Sequence, residues 1–339
     1  MLKIEKDHSL IKYTTLKISS QADYFAVIKN KSELLEAIKF AKDNQQAIFV
    51  LGGGSNVLLT NRIKGLLIKN EIKGIQVVKK NKDTILVEAS SGEIWSKFVS
   101  YTVENKLYGL ENLFLIYGTV GAAPVQNIGA YGVELKDYFY QLQAIDFKSG
   151  KEKTFSITDC RFGYRDSIFK NKFKGKYFIY SVTLKLLSKP NFKLNYGSIG
   201  AALINKGIKK PTAIDVIKTI EEIRNSKLPN PFVLPNAGSF FKNPEVNLQI
   251  FKKLLQQYPD MPSFPVSRTK VKIPAGWLIE QVGLKGKKFG PVRMYEKQAL
   301  ILVNEGGASA KQVLNLVAKV KLAVKKKFGL DLSEEVNII

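Results

Sequence analysis

Sulfur and imidazole are nearly missing from this chain, which has one cysteine, Cys160, and one histidine, His8, in 339 residues. A lone thiol cannot close a disulfide within the chain or build a cysteine metal cage. A lone imidazole leaves no material for a histidine-ligated metal and argues against a Ser-His-Asp relay. No metal site is expected. Long apolar runs are absent as well, since none approaches the roughly 18 residues that span a bilayer. The start, Met1 to His8, has no apolar signal-peptide core. The expected setting is cytoplasmic, with no membrane insertion.

Acidic residues are scarce beside basic ones, 29 against 53, giving a formal net charge of +24. Such an excess invites a nucleic-acid partner. The lysines are scattered, however, with only short clusters such as Lys79-Lys80 and Lys325-Lys326-Lys327. No basic stripe interleaved with aromatics and no long basic tail is present. Scattered charge supports only non-specific binding, so no nucleic acid is expected as partner. A basic surface would instead gather an anionic nucleotide. Core material is plentiful, at 45% hydrophobic and 11% aromatic, enough for two or three domains.

Helical and strand periodicities alternate through the first half. Ser32 to Asn44 reads as a helix with Leu34, Leu35, Ile38 and Ala41 on one face. Residues 47–51, 66–68, 84–88, 143–147 and 177–184 read as strands, and 94–105 as a helix carrying Trp95, Phe98, Val99 and Val103. Thr212 is placed to cap a helix reaching Arg224, with Asp215 favouring its start. Leu228 to Pro235 breaks regular structure. Ser309 to Phe328 is a last amphipathic helix stopped by Gly329. The fold class expected is α+β.

Two glycine-dense runs stand out. They are Gly52-Gly53-Gly54-Ser55-Asn56 and Gly118-Thr119-Val120-Gly121-Ala122-Ala123-Pro124, the second continuing through Asn127-Ile128-Gly129-Ala130-Tyr131-Gly132. Glycine lets backbone N–H groups come close to a phosphate and accepts positive φ. Two such runs, each after an apolar strand-like segment, point to a diphosphate held between backbone loops, as in a large nucleotide cofactor.

Three more motifs follow in order: Cys160-Arg161-Phe162-Gly163-Tyr164-Arg165-Asp166-Ser167, Asn236-Ala237-Gly238-Ser239-Phe240-Phe241-Lys242-Asn243-Pro244, and Ala275-Gly276-Trp277-Leu278-Ile279-Glu280. With the glycine runs they resemble the UDP-N-acetylenolpyruvoylglucosamine reductase (MurB) family from about residue 8 to the C-terminus. The resemblance implies an FAD-binding domain of the vanillyl-alcohol-oxidase (PCMH) type plus a smaller α+β substrate-binding domain. It also implies NADPH as reductant and a UDP-sugar substrate in peptidoglycan synthesis; a monomer is expected. The FAD-binding region is expected over 1–206, in two subdomains of about 1–65 and 66–206. The substrate-binding domain is expected over 207–328, with 329–339 returning to the active site.

The resemblance implies hydride delivery from reduced flavin to the β-carbon of the enolpyruvyl ether. Arg165 would face the carboxylate, which its charged fork suits. Ser239 would give the α-carbon a proton, and Glu335 rather than Glu334 would orient the intermediate. Gly53, Gly54, Ser55, Asn56, Gly121, Ala123, Gly129 and Gly132 would hold FAD. Tyr131, Tyr196, Lys227, Asn243 and Lys285 would hold the UDP-sugar, with Tyr196 marking the subtype that carries a tyrosine-bearing substrate loop. Tyr117, where the family usually has proline, and residues 290–295 depart from the family pattern. Two readings stay open beside this one: a related FAD oxidase with another substrate, and a basic nucleic-acid-binding module.

Overall fold

The structure, a computed structural model, describes residues 2–195 and 197–339. The chain forms two compact units. The first comprises 1–8, 21–53 and 63–226, and the second 9–20, 54–62 and 227–339.

Two larger sheets and the short hairpin of Gly129–Ala130 with Val133–Glu134 lie in the first unit. In one sheet, the strands Gln21–Ile28, Ile63–Asn70 and Ile48–Leu51 lie parallel, with Ile63–Asn70 in the middle. The central strand is apolar along Leu66, Leu67 and Ile68, as burial on both faces requires. The helix Lys31–Asp43 starts where the Asn30 side chain accepts from Glu33 N, and lays Leu34, Ala37, Ile38 and Ala41 on this sheet. The other sheet is antiparallel, in the order Glu152–Ser156, Phe139–Asp146, Tyr177–Leu187, Thr84–Ser90, Ile75–Lys80. Trp95, Phe98 and Val99 of the helix Trp95–Glu104 pack into its core, and Val103 is buried as well. Each such side chain contributes about 1.5–3 kcal/mol when fully buried.

The second unit is built on the strands Asn236–Ser239, Ile301–Asn304, Val292–Met294 and Lys288–Phe289. The helix Ala310–Phe328 covers a core through Val313, Leu316, Val317, Val320, Val324 and Phe328. It begins in a reciprocal Ser309–Gln312 capping box and ends at Gly329, whose φ of 68° lies in the left-handed region. The C-terminal strand Asn337–Ile338 pairs parallel with Val57–Leu58.

Packing moves the expected domain boundaries. The helix Ala213–Lys227 belongs mainly to the first unit, because Val216 and Ile220 are buried against Ile199 and Leu203. Segments 9–20 and 54–62 belong to the second unit, whose core takes Leu16, Ile18 and Leu58. A subdomain break at residue 65 would cut the strand Ile63–Asn70. The packing therefore replaces contiguous domains with an exchange of short segments. Residues 329–339 lie wholly in the second unit.

Glu111 is an unusual member of the first unit's interior, at 3% exposure. Its Oε2 accepts from Gly109 N at 2.8 Å, whereas Oε1 has no partner among the described residues. Burial lifts its carboxyl above the ordinary value, opposed by backbone N–H groups of Glu111 and Gly109. The folded chain thus holds this proton more tightly than the unfolded chain. The stability it contributes is complete below the ordinary value of 4.5 and is lost as pH rises through the raised folded value. Glu111→Gln, neutral at every pH, should escape that loss. Urea midpoints from about pH 4 to about pH 8 should move in favour of the variant by about 1 kcal/mol or more. Parallel pH profiles for the two proteins would show that Glu111 ionisation carries no such cost.

Candidate functional site

In the first unit the two glycine loops are held by one strand end. Lys69 Nζ donates to Gly52 O at 2.5 Å, and the neighbouring Asn70 Nδ2 donates to Ser91 Oγ at 2.7 Å. From Ser91 the chain pairs with the second loop: Gly121 N bonds Ser91 O, Val120 N bonds Glu93 O, and Trp95 N bonds Gly118 O. The loops also touch directly. A Cβ on Gly53 would lie 2.8 Å from Gly118 Cα, so neither backbone could approach the other with a side chain between them. A Cβ on Gly52 would lie 2.4 Å from Thr119 Oγ1. That hydroxyl is buried and has no partner among the described residues. Ala123 is buried behind the loop, and Gly129 and Gly132 lie in the hairpin that follows.

Arg165 is fastened to this second run. Its Nη2 donates to Gly129 O at 2.6 Å, and its guanidinium lies 5.5 Å from the Tyr164 ring centroid. Asn127 is fully buried and fully satisfied: Nδ2 donates to Gly163 O and Glu134 Oε2, and Oδ1 accepts from Lys136 N, all at 3.0 Å. Ser167 Oγ donates to Val125 O at 2.6 Å. The φ values of Asn127, Tyr131 and Arg165 are 45°, 49° and 51°. Left-handed backbone is costly for non-glycine residues and persists where surroundings impose it.

Arg224 is a residue the sequence reading passed over. Its Nε is buried with no acceptor among the described residues. Burial pushes the guanidinium's proton affinity down, opposed by the Tyr131 and Tyr117 phenols beside it. Burial raises both phenols above their usual range, and the guanidinium counteracts this. Tyr117 thus has a neighbour in the fold that a proline could not serve. An arginine in a helix gives no local sign of such a role.

In the second unit, Gly54 is confined by contact as well as by its φ of 65°, since a Cβ would fall 1.9 Å from Tyr13 O. Gly54 O accepts from Thr15 N, and Thr15 Oγ1 donates to Asn236 O at 2.6 Å. Ser239 ends the strand Asn236–Ser239, followed by the fully buried Phe240 and Phe241. Glu335 N bonds Phe240 O, and Lys242 N bonds Ser333 O. The backbone thereby sets Glu335 one pairing step from Ser239. Asn56 Nδ2 donates to Glu335 O at 3.3 Å, and Asn56 O accepts from Asn337 N. Ser55, Asn56, Ser239 and Glu335 are all half-buried. Glu334 is committed elsewhere, in an ion pair with Lys321 at 2.9 Å.

The residues proposed for the nucleotide divide. Asn243 Oδ1 accepts from Ala275 N at 2.8 Å, capping the helix Ala275–Gln281, whose own N-cap is Pro274. Lys285 is exposed and paired with Glu280 at 2.6 Å, an interaction worth little in water. Lys227 is exposed at the end of its helix. Tyr196 lies outside the described residues. The departing segment 290–295 carries Arg293, whose Nε donates to Glu305 at 2.7 Å.

Comparison with known proteins decides the family. Residues 230–339 match the model of the UDP-N-acetylenolpyruvoylglucosamine reductase C-terminal domain, and 22–156 match an FAD binding domain. The UDP-N-acetylenolpyruvoylglucosamine reductase of Flavobacterium johnsoniae is 44% identical over 340 residues, covering 100% of both chains. This chain belongs to the UDP-N-acetylenolpyruvoylglucosamine reductase family. The Pseudomonas aeruginosa reductase is 43% identical, with 99% of each chain covered. The crystal structure of the Thermus caldophilus reductase shares the fold, with a TM-score of 0.70 and 22% identity over 100% of this chain and 99% of that one.

The residues present fit the flavin dinucleotide that an FAD-binding domain implies. In the first unit the two glycine loops close on each other, since a Cβ at Gly52 or Gly53 would meet Thr119 or Gly118, and the buried Thr119 hydroxyl beside them is orphaned among the described residues. Among the described residues, neither Gly53 nor Gly54 gives its N–H to a backbone carbonyl. Backbone donors left over by the fold suit a diphosphate.

Asn127→Ala removes three buried hydrogen bonds at a left-handed position. The expected cost is about 2–4 kcal/mol, read from the urea midpoint. A loss below about 0.5 kcal/mol, the range of ordinary surface substitutions, would show that the tether between the second glycine run and the Arg165 loop is dispensable.

Proposed function

We propose that this chain reduces the enolpyruvyl ether of UDP-N-acetylglucosamine to UDP-N-acetylmuramate for peptidoglycan synthesis, with NADPH as reductant. What carries the reading is the full-length 44% identity to a reductase of that name, together with Glu335 backbone-bonded beside Ser239. Bound FAD would take a hydride from NADPH and supply it to the β-carbon.

The remaining work falls to the chain. As the β-carbon gains hydride, the electron pair of the double bond shifts toward the α-carbon and its carboxylate. Arg165 would meet that negative charge with a fork whose Nη2 is already anchored on Gly129 O. Ser239 would give its hydroxyl proton to the α-carbon, forming the new C–H bond, and recover a proton from solvent. A hydroxyl is a weak acid, so the basicity of the α-carbon drives this transfer. Glu335, fixed through its backbone N–H on Phe240 O, would orient the proton donor and the intermediate. The overall balance is one NADPH and one proton consumed per C=C bond reduced.

Tyr131, Tyr196, Lys227, Asn243 and Lys285 would hold the nucleotide. Lys285 would exchange the Glu280 carboxylate for a phosphate, which costs little because that pair is solvent-screened. The enzyme would work as a cytoplasmic monomer. No helix of the described residues is long and apolar enough to cross a membrane.

The purified chain should show a visible flavin spectrum, bleached by NADPH and restored by the enolpyruvyl nucleotide. Absence of flavin binding after addition of FAD would end the reading. Ser239→Ala should leave bleaching nearly normal while slowing restoration by about 10²-fold or more. An equal fall in both half-reactions would make Ser239 structural instead.

A further inference from the structure

Lys69 stands at an unusual place for a lysine. It is the penultimate residue of the strand Ile63–Asn70, in register with Leu51, the last residue of the strand feeding the first glycine loop. Its register partner on the other side is Val27, and the side chain is half-buried. Its ammonium reaches the loop and donates to Gly52 O at 2.5 Å. Among the described residues that carbonyl is its only hydrogen-bond acceptor, and no carboxylate lies within ion-pair distance. Burial pulls its proton affinity down, Glu71 pulls it up and Lys73 again down.

The peptide that Lys69 holds has two ends. Gly52 C=O and Gly53 N–H belong to one planar unit, and the described chain contains no cis peptide. In a trans peptide the two bonds point in opposite directions. An ammonium on the carbonyl therefore fixes the Gly53 N–H pointing away from Lys69. That N–H meets no backbone carbonyl among the described residues. A charged donor on the oxygen also draws electron density through the amide, making the N–H a stronger donor. The positive charge itself stays behind the loop, so it acts on a ligand through the peptide and not by contact.

We propose that Lys69 is a positioning residue for the cofactor diphosphate, aiming and polarising the Gly52–Gly53 peptide so that Gly53 N–H faces the phosphate oxygens. This rests on the flavin reading above and adds one residue of this chain to it. The backbone donors of the loop are set by a cation that never touches the ligand. The role is confined to the diphosphate, since a tricyclic ring without phosphates offers nothing for Gly53 N–H to grip.

The test compares apoprotein binding of FAD and of riboflavin, which lacks the diphosphate, by quenching of flavin fluorescence. Wild type should bind FAD, and failure there would remove the flavin reading itself. Lys69→Met should weaken FAD binding by about 10-fold or more, the worth of a charge-assisted hydrogen bond. Its riboflavin binding should stay within about 2-fold. Lys69→Arg, which keeps a cation on Gly52 O, should recover most of the loss. Unchanged FAD affinity in Lys69→Met, or an equal loss for FAD and riboflavin, overturns the proposal while leaving the flavin reading intact. Unfolding midpoints of the apoproteins check folding. Should Lys69→Met fold poorly, Lys69→Gln carries the same comparison.

Discussion

Backbone donors can face a ligand only if something holds the peptide from behind, and the first unit turns on that constraint. Glycine gives the loops close approach but no rigidity, because it loses more conformational freedom on ordering than any other residue. The rigidity comes from the end of the strand Ile63–Asn70. Lys69 reaches one loop, and Asn70 reaches Ser91, which receives the N–H of Gly121 in the other. Adjacent residues of a strand point to opposite faces. One strand end can therefore serve two loops that are about 65 residues apart in the chain.

The second glycine run shows how strain is carried. Asn127, Tyr131 and Arg165 all take left-handed backbone, each at a cost of order 1–3 kcal/mol. Asn127 offsets part of it with three hydrogen bonds from a fully buried side chain. Asn112 adds a bond to Tyr131 O at 2.9 Å, and Ser167 ties its loop to Val125 O. The result is an arginine whose fork is oriented by Gly129 O before any ligand arrives. Preorganised charge of this kind is worth more than charge that must reorient during the reaction.

In the second unit the same economy is achieved by strand pairing. Glu335 and Ser239 are nearly a hundred residues apart, yet the bond from Glu335 N to Phe240 O makes them neighbours. Phe240 and Phe241, both fully buried, anchor one partner, and the Asn337–Ile338 pairing with Val57–Leu58 anchors the other. The pairing keeps both residues on ordered backbone. Asn56 enters this arrangement through its side-chain bond to Glu335 O, so part of the first glycine motif serves the C-terminal strand.

Periodicity and turn chemistry are local, so the sequence by itself determined four of the longer helices, five strands of the first unit, the Ser309 and Thr212 starts and the Gly329 stop, but not the helices Ile199–Asn205 and Leu248–Gln257 or the short strands of the second unit. It also singled out Arg165, Ser239 and Glu335 as candidates, because their neighbours carry the family pattern. The exchange of segments between the two units was decided only in three dimensions. Leu16, Ile18 and Leu58 have no local mark of the core they enter, and Val216 and Ile220 look like any helical stripe until Ile199 and Leu203 are beside them. Lys69, Arg224 and Glu111 were hidden for the same reason. In a lysine-rich chain one more lysine reads as surface, and a charged residue's burial is a property of what packs around it, which no short stretch of sequence contains.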